Sequence, residues 1–234
     1  KLIYIFIICF SSVTAFASEV ILVQGAMDLE INHLIHKLEQ AHEERVGSWT
    51  FWRGKIGKKD VEVYVKNYYR KNKAIIEKNL ELYKNNWKKI EKKYYDLVSL
   101  IFNKEFWPKG KYIAYATIWG MFPRFLEDKT FQIPYTYKNA KYVNVVIAHE
   151  MLHFVFYDYF WEKYPDYKKQ DIKTLNISEI FNTVIQNSPE WVNVFEEKSM
   201  GYPEHKKIVN YLSKKYYKKK IKVEELIEDI IKEI

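Results

Sequence analysis

Between Asn144 and Tyr157 the chain is apolar except for three residues, His149, Glu150 and His153. An apolar stretch of this length predicts a helix buried on all sides, which we expect from about 140 to 164, before Pro165. Burying two imidazoles and a carboxylate without partners is unfavourable, so the fold has to supply those partners. Any fold of this chain must therefore bring polar groups or a bound ion to one point of this helix.

The spacing of these three polar residues indicates what the partner is. Because His149 and His153 are four residues apart, they lie on one helix face, and both imidazoles can bind one metal ion. Glu150 lies near the same face, where its carboxylate can hold and deprotonate a metal-bound water. The sequence therefore predicts a metal centre with two histidine ligands and Glu150 as the general base.

A catalytic zinc site needs a third protein ligand and keeps one position for water. The single cysteine, Cys9, lies in an N-terminal apolar run, so the third ligand must be a histidine or a carboxylate. Glu179 is the best candidate, because its neighbours Ile177 and Phe181 would bury that face of a helix predicted at 177–186. The alternative is a glutamate in the first helical turn that faces solvent.

The pattern His149-Glu150-x-x-His153, followed by Glu179 on a second helix, resembles the gluzincin metallopeptidases, the thermolysin-like branch of the zincins. The resemblance covers about residues 67–200. It implies an α+β, zincin-like fold, mainly helical, with a small mixed sheet packed on the helix that carries the motif. It also implies one Zn²⁺ bound by His149, His153 and Glu179, with Glu150 as general base and a peptide or protein as substrate.

One feature of this family is altered here. The family's Asn-Glu-x-x-x-Asp around the third ligand is replaced by Ser178-Glu179-Ile180-Phe181-Asn182-Thr183, so the acidic residue that would orient a ligand histidine is not in its expected place. Asn182 or Asp171 could accept that hydrogen bond instead. The resemblance further implies that an extended peptide pairs with a strand upstream of the motif helix, within 120–134.

Peptide hydrolysis also needs a donor for the carbonyl oxygen as it becomes negative. Tyr202 and His205 are both candidates for this catalytic role, and the alternative for each is a packing or surface residue. Another histidine group, His33, His36 and His42, is better interpreted as a solvated helix face, because His42 lies roughly opposite His33.

The spacing of apolar residues predicts the remaining elements. Residues 67–102 contain neither Gly nor Pro and have an apolar stripe, which predicts one long amphipathic helix or two in series. The region from His205 onwards predicts two helices separated by the lysine cluster 214–222. Strands are predicted at 112–118, 121–125 and 130–135, with Pro123 and Pro134 placing the last two at a sheet edge or at strand ends.

The N-terminal region differs from the rest of the chain. Residues 1–17 combine a basic start, an apolar run and Ala15-Phe16-Ala17, which is typical of a secretory signal cleaved before Ser18; the alternative is a buried strand. A genuine signal predicts a secreted or periplasmic protein, and otherwise we expect a cytoplasmic one. No stable membrane span is expected after its removal.

Residues 18–66 predict a strand at 20–23, a helix from Asp28, and a hairpin with strands at 49–52 and 61–65. The segments 21–31, 47–49 and 52–56 resemble the start of the 5′-methylthioadenosine/S-adenosylhomocysteine nucleosidases, and Glu30 matches a glutamate that positions water there. The Asn-Ser-Asp motif that carries that family's catalytic aspartate is missing, so we do not expect nucleosidase activity. The predicted divisions are 1–17, 18–66 and 67–234.

The formal net charge of +8 comes mainly from lysine-rich helical segments. Such a charge suits an acidic partner, a membrane surface or nucleic acid, but it also suits lysines on solvated helix faces. No arginine-aromatic pattern of a known nucleic-acid module is visible, so no specific nucleic-acid partner is expected. The sequence thus predicts a zinc-dependent peptidase. The alternative is a zincin-like binding protein without turnover, which would not need Glu150.

Overall fold

The computed structural model describes residues 18–24, 58–102, 110–118, 120, 122–168, 172–218 and 221–234. These residues form an α+β fold that is mainly helical and includes a small mixed sheet. The elements in chain order are β1 Ser18–Gln24, α1 Lys58–Ile101, β2 Gly110–Thr117, β3 Arg124–Phe125, β4 Thr130–Pro134, α2 Tyr142–Lys163, α3 Ile172–Gln186, α4 Pro189–Phe195, α5 Lys206–Tyr216 and α6 Val223–Glu233. Short 3₁₀ turns lie at Pro165–Tyr167 and Pro203–His205.

Helix α1 is one continuous helix rather than two. Its apolar residues recur every three or four positions and are buried along one face, which includes Ile76, Leu80, Tyr83, Trp87, Tyr94 and Leu97. The helix begins at Lys58, so the hairpin strand predicted at 61–65 is wrong. Val61 and Val65 are buried while Val63 is 51% exposed, which is the pattern of a helix and not of a strand. The other predicted hairpin strand, 49–52, lies outside the described residues.

The sheet contains three parallel strands and one antiparallel edge strand, in the order β1-β2-β4-β3. The predicted strands at 20–23, 112–118 and 130–135 are confirmed as β1, β2 and β4. The strand predicted at 121–125 is reduced to the two residues of β3, which lies at the sheet edge. Pro134 is the last residue of β4, so the absence of its N–H does not interrupt the hydrogen bonds between strands.

The predicted division between residues 66 and 67 falls inside helix α1, which continues across it. Strand β1 pairs with β2 along its whole length, from Ser18 opposite Gly110 to Gln24 opposite Ala116. Helix α1 also contacts this sheet, because the hydroxyl of Tyr69 donates to the carbonyl of Ala116 at 2.9 Å. Residues 18–24 and the three strands that follow α1 therefore share one sheet.

Helix α2 lies between the sheet and helix α3. Phe154 packs against Tyr112 and Phe131 of the sheet, with ring centroids 4.8 and 6.3 Å apart. On the other side, side-chain contacts join 145 to 186, 149 to 182 and 157 to 178, so α2 and α3 run antiparallel. The predicted burial of α2 on all sides is confirmed, since its apolar residues from Val143 to Tyr157 are buried.

Most of the helices after α2 agree with the predictions from the sequence. Helix α3 begins at Ile172, five residues before its predicted start, and α4 at Pro189–Phe195 was not predicted. Helices α5 and α6 confirm the two predicted C-terminal helices, and both pack against α3. Among the described residues, no helix is both long and apolar enough to span a membrane.

Candidate metal centre

His149, His153 and Glu179 converge on one point between helices α2 and α3. The Nε2 atoms of the two histidines are 3.0 Å apart, and they lie 3.1 and 3.3 Å from the two carboxylate oxygens of Glu179. A tetrahedral ion with bonds of about 2.0–2.1 Å holds its ligand atoms roughly 3.3 Å apart. The three side chains therefore form a buried group that could hold a metal ion.

Gln186, which the sequence analysis missed, orients His149. Its side-chain N–H₂ donates to the carbonyl of Val145 at 3.0 Å, so its carbonyl oxygen faces His149 Nδ1, 2.7 Å away. Nδ1 then carries a proton, so Nε2 is the ring nitrogen that remains for a metal. Burial lowers the pKa of His149, but Glu179 and Glu150 outweigh it and raise the pKa, so a metal at Nε2 would displace a proton. Gln186 lies seven residues after Glu179, two turns along the same face of α3, and this spacing was the available signal.

The acceptors predicted for the ligand histidines are placed differently. Asn182 donates to the backbone carbonyl of His149 at 3.3 Å and does not contact its ring, while Asp171 lies outside the described residues. His153 Nδ1 and Asn182 Oδ1 are buried, and neither has a hydrogen-bond partner in the described part of the chain. Burial, aided by the charge of Arg124, lowers the pKa of His153 well below its usual value, so its imidazole is neutral.

Glu179 is buried, with 5% of its surface exposed, so the solvent-facing alternative does not hold. Its neighbours Ile177, Ile180 and Phe181 are fully buried, as the sequence analysis expected. Burial alone would raise the pKa of Glu179, but the adjacent imidazoles of His153 and His149 outweigh it and hold the pKa well below its usual value. Glu179 is therefore an ionised carboxylate that is positioned as a ligand.

Glu150 lies beside the ligand group but does not point into it as a ligand. Burial raises the pKa of Glu150 to about 7, although His149 and Arg124 act to lower it. Its Oε2 atom is buried and has no hydrogen-bond partner within the described residues. Arg124 Nη1 lies 3.6 Å from the same oxygen, which is longer than a hydrogen bond, so this carboxylate can still accept a proton.

A cavity of about 750 Å³ opens onto the ligand group and is lined by His149, Glu150 and Glu179. Its other walls are mostly apolar and come from residues 122–126, from α2 and from the segment after α4. Four of its lining side chains are large, apolar and exposed, namely Ile172, Leu175, Met200 and Tyr202. The polar group thus lies at the base of a cavity with an apolar rim.

The cavity includes one of the two predicted donors. Tyr202 lines it, and burial together with Glu179 and Glu150 raises the pKa of its hydroxyl, which therefore stays protonated. His205 does not line the cavity; its ring meets the Tyr202 ring edge-on at 5.7 Å. Gly201, next to Tyr202, has a φ of +60°, and a Cβ there would lie 2.8 Å from Thr183, so a glycine is needed for the backbone to pass this close to α3.

Arg124 of the edge strand β3 is a cavity residue that the sequence analysis did not identify. Its Nη1 atom lies 3.6 Å from Glu150 Oε2 and 3.4 Å from Glu179 Oε1, and only 13% of its side chain is exposed. Its guanidinium also lies over the ring of Tyr157, 5.7 Å from the centroid. The signal in the sequence was an arginine in an otherwise apolar stretch shortly before the motif helix.

Comparison with known proteins finds no matching family model, no similar curated protein and no similar solved structure. The resemblances to gluzincins and to nucleosidases therefore stay predictions.

Proposed function

We propose that the protein is a zinc-dependent peptidase with a zincin-like fold. The observation that carries this proposal is the convergence of His149, His153 and Glu179 beside Glu150, whose pKa is about 7. A site that only stabilises structure does not need a general base, and the burial that raises the pKa of Glu150 suits this carboxylate to accept a proton. The pairing of a ligand group with a base supports hydrolysis.

Zinc is the metal that best suits this donor set. Two imidazole nitrogens and one carboxylate leave a fourth position open, as catalytic zinc sites do, whereas magnesium and calcium favour sites made mostly of oxygen ligands. Two charge states support metal binding, since His153 is neutral and Glu179 is ionised. The contact of His149 Nδ1 with Gln186 leaves Nε2 as the nitrogen that faces Glu179.

The reaction needs water, an acceptor for its proton and a polarised carbonyl. Bound zinc supplies a Lewis acid and lowers the pKa of water at the site. Glu150 takes one water proton as the water oxygen bonds to the carbonyl carbon of the peptide. The C–N bond then breaks, and Glu150 passes that proton to the leaving nitrogen. The products are a carboxylic acid and an amine, and transfer of the acid's proton to the amine gives a carboxylate and an ammonium group.

Two surface features favour a polypeptide substrate over a small molecule. The apolar rim formed by Ile172, Leu175, Met200 and Tyr202 suits amino-acid side chains on either side of a scissile bond. Strand β3 lies at the edge of the sheet and contributes Arg124 to the cavity. An extended peptide can add to such an edge by backbone hydrogen bonds, as the sequence analysis expected for 120–134.

The test uses Glu150→Gln, with Glu162→Gln as the matched control, because Glu162 is an exposed glutamate on the same helix. We expect about one equivalent of zinc in all three proteins by elemental analysis. Release of new amino groups from a peptide library should be lost in Glu150→Gln and retained in Glu162→Gln. Cleavage that survives in Glu150→Gln, or a purified protein that binds no zinc, would contradict the proposal.

A further inference from the structure

We infer that Arg124 is a catalytic residue that binds the carbonyl oxygen of the scissile bond as that oxygen becomes negative. This inference rests on the proposed function. It assigns to β3 the role that the sequence analysis gave to Tyr202 and His205. The observations that carry it are the position of Arg124 in the cavity, the length of its ion-pair contacts and the charge around it.

Arg124 is held by Glu179, Glu150 and Tyr157, and these contacts are fewer than its five N–H donors. A charge-assisted hydrogen bond from arginine to a carboxylate measures about 2.7–2.9 Å. The contacts from Arg124 Nη1 to Glu179 and Glu150 are longer, at 3.4 and 3.6 Å. The ring of Tyr157 supports the guanidinium from one side. The planar group, which has five N–H donors, is thus positioned by its neighbours and still faces the cavity.

The balance of charge in the cavity also favours an anion. Among the described residues that line the cavity, Arg124 offsets the charge of Glu179, and Glu150 is partly ionised near neutral pH because its pKa is about 7. A bound divalent ion would make the net charge positive. A group that becomes negative during the reaction would then be stabilised by the site, and loss of Arg124 would lower that positive charge by one unit.

The arrangement also brings Arg124 to the reacting atoms. Its Nη1 atom is 3.4 Å from one ligand oxygen and 3.6 Å from the base, so it lies next to both groups that define where the carbonyl must sit. His205 does not line the cavity, and Tyr202 reaches it from the exposed rim, with 51% of its surface accessible. Arg124 is the more buried donor, and among the described residues that line the cavity it alone carries a permanent positive charge.

The experiment compares Arg124→Ala and Arg124→Lys with Arg70→Ala, a matched control on the exposed face of α1. All proteins are loaded with zinc, and zinc content is measured first. We expect kcat of Arg124→Ala to fall about 10²–10³-fold with little change in KM. Millimolar guanidinium should restore part of that activity in Arg124→Ala and should not change Arg70→Ala. Arg124→Lys keeps the charge between the two carboxylates and should lose less.

A second readout does not depend on turnover. Calorimetry measures the affinity of a phosphinic dipeptide, an anionic mimic of the tetrahedral intermediate, for each zinc-loaded protein. We expect the affinity to fall by a factor similar to the fall in kcat for Arg124→Ala and to be unchanged for Arg70→Ala. If Arg124→Ala does not fold, the test uses Arg124→Lys, which preserves the ion pairs. The affinity of this variant for the phosphinic dipeptide should then be lower than that of the wild-type protein.

The outcomes separate this inference from the proposed function. Wild-type cleavage with an unchanged kcat or mimic affinity in Arg124→Ala overturns the role of Arg124 and leaves the peptidase intact. If Arg124→Ala loses zinc and guanidinium does not restore its activity, the role of Arg124 is also overturned, because Arg124 would then act only by supporting Glu179. A wild-type protein that binds the mimic through Arg124 but releases no amine contradicts the peptidase while supporting the anion site. No cleavage and no mimic binding overturn both.

Discussion

The two longest helices of the molecule, α1 and α2, differ in how they use their polar residues. Helix α1 buries one apolar face, and most of its described lysines and glutamates are exposed. Helix α2 is buried along both sides, so polar groups in its interior must have partners there. Polar residues on α1 are thus replaceable in principle, whereas the three polar residues at the centre of α2 define a site.

The strongest test of this difference is the removal of a ligand from α2. His153→Ala should lose stoichiometric zinc binding, because two remaining ligands cannot replace the third. Added zinc should raise the Tm of the wild-type protein by binding the folded state, and it should not raise that of the variant. Thermal scans with and without zinc measure this, with His205→Ala as a histidine control. Equal zinc-dependent shifts in both variants would contradict the ligand assignment.

The buried face of α1 gives the next largest effect, and this effect concerns stability alone. Trp87 is 2% exposed and its ring contacts Tyr94 at 5.5 Å. Trp87→Ala should lower the free energy of unfolding by about 3–5 kcal/mol, because it leaves a large cavity. Urea denaturation measures this loss. Zinc content of the folded variant should not change; a loss of zinc would show that α1 also supports the metal centre.

The residue that orients His149 should give an intermediate effect. Gln186→Leu removes the acceptor for the Nδ1 proton, so zinc affinity should fall about 10–100-fold, as for other partners of ligand histidines. Competition with a chelator measures the affinity. Asn79→Ala is the control, since Asn79 on α1 also donates to a backbone carbonyl, that of Tyr135 at 3.0 Å, away from the metal centre. Equal affinities would exclude a role for Gln186.

The solvated face of α1 should give the smallest effect. Lys92 and Asp96 form an ion pair at 2.8 Å, but their side chains are 76% and 54% exposed. Lys92→Ala should therefore change the free energy of unfolding by no more than about 0.5 kcal/mol, and less in high salt. Denaturation at two salt concentrations checks this. A loss comparable to that of Trp87→Ala would mean that this face is not simply solvated.

The sequence predicts the structure best where a short-range pattern of residues is enough to define an element or a site. The spacing of His149 and His153, together with apolar neighbours, predicts both the buried helix and the paired imidazoles. The isolated carboxylate Glu179 is predicted by the same physical argument, since a charge among apolar side chains needs a partner. Regular apolar spacing likewise predicts α1, β2, β4 and the two C-terminal helices.

The sequence predicts the structure least well where an element or a site residue depends on contacts between distant segments of the chain. Val61 and Val65 fit a strand as well as a helix, and burial against the rest of the fold decides for the helix. Gln186 and Arg124 reach the site only because α3 and β3 are brought beside α2. The spacing of Gln186 from Glu179 and the apolar neighbours of Arg124 mark these residues as unusual, but they do not indicate that arrangement.

The pairing of β1 with β2 has a consequence for the order in which the molecule forms. Each residue of β1 lies opposite one that is 92 positions later in the chain, as Ser18 lies opposite Gly110. During synthesis β1 leaves the ribosome long before its partner exists, whereas α1 can form as soon as it emerges. Long-range parallel pairing is slow because the closing of a large loop precedes any gain in contacts. We therefore expect the joining of β1 to the sheet to be a late step that limits the folding rate.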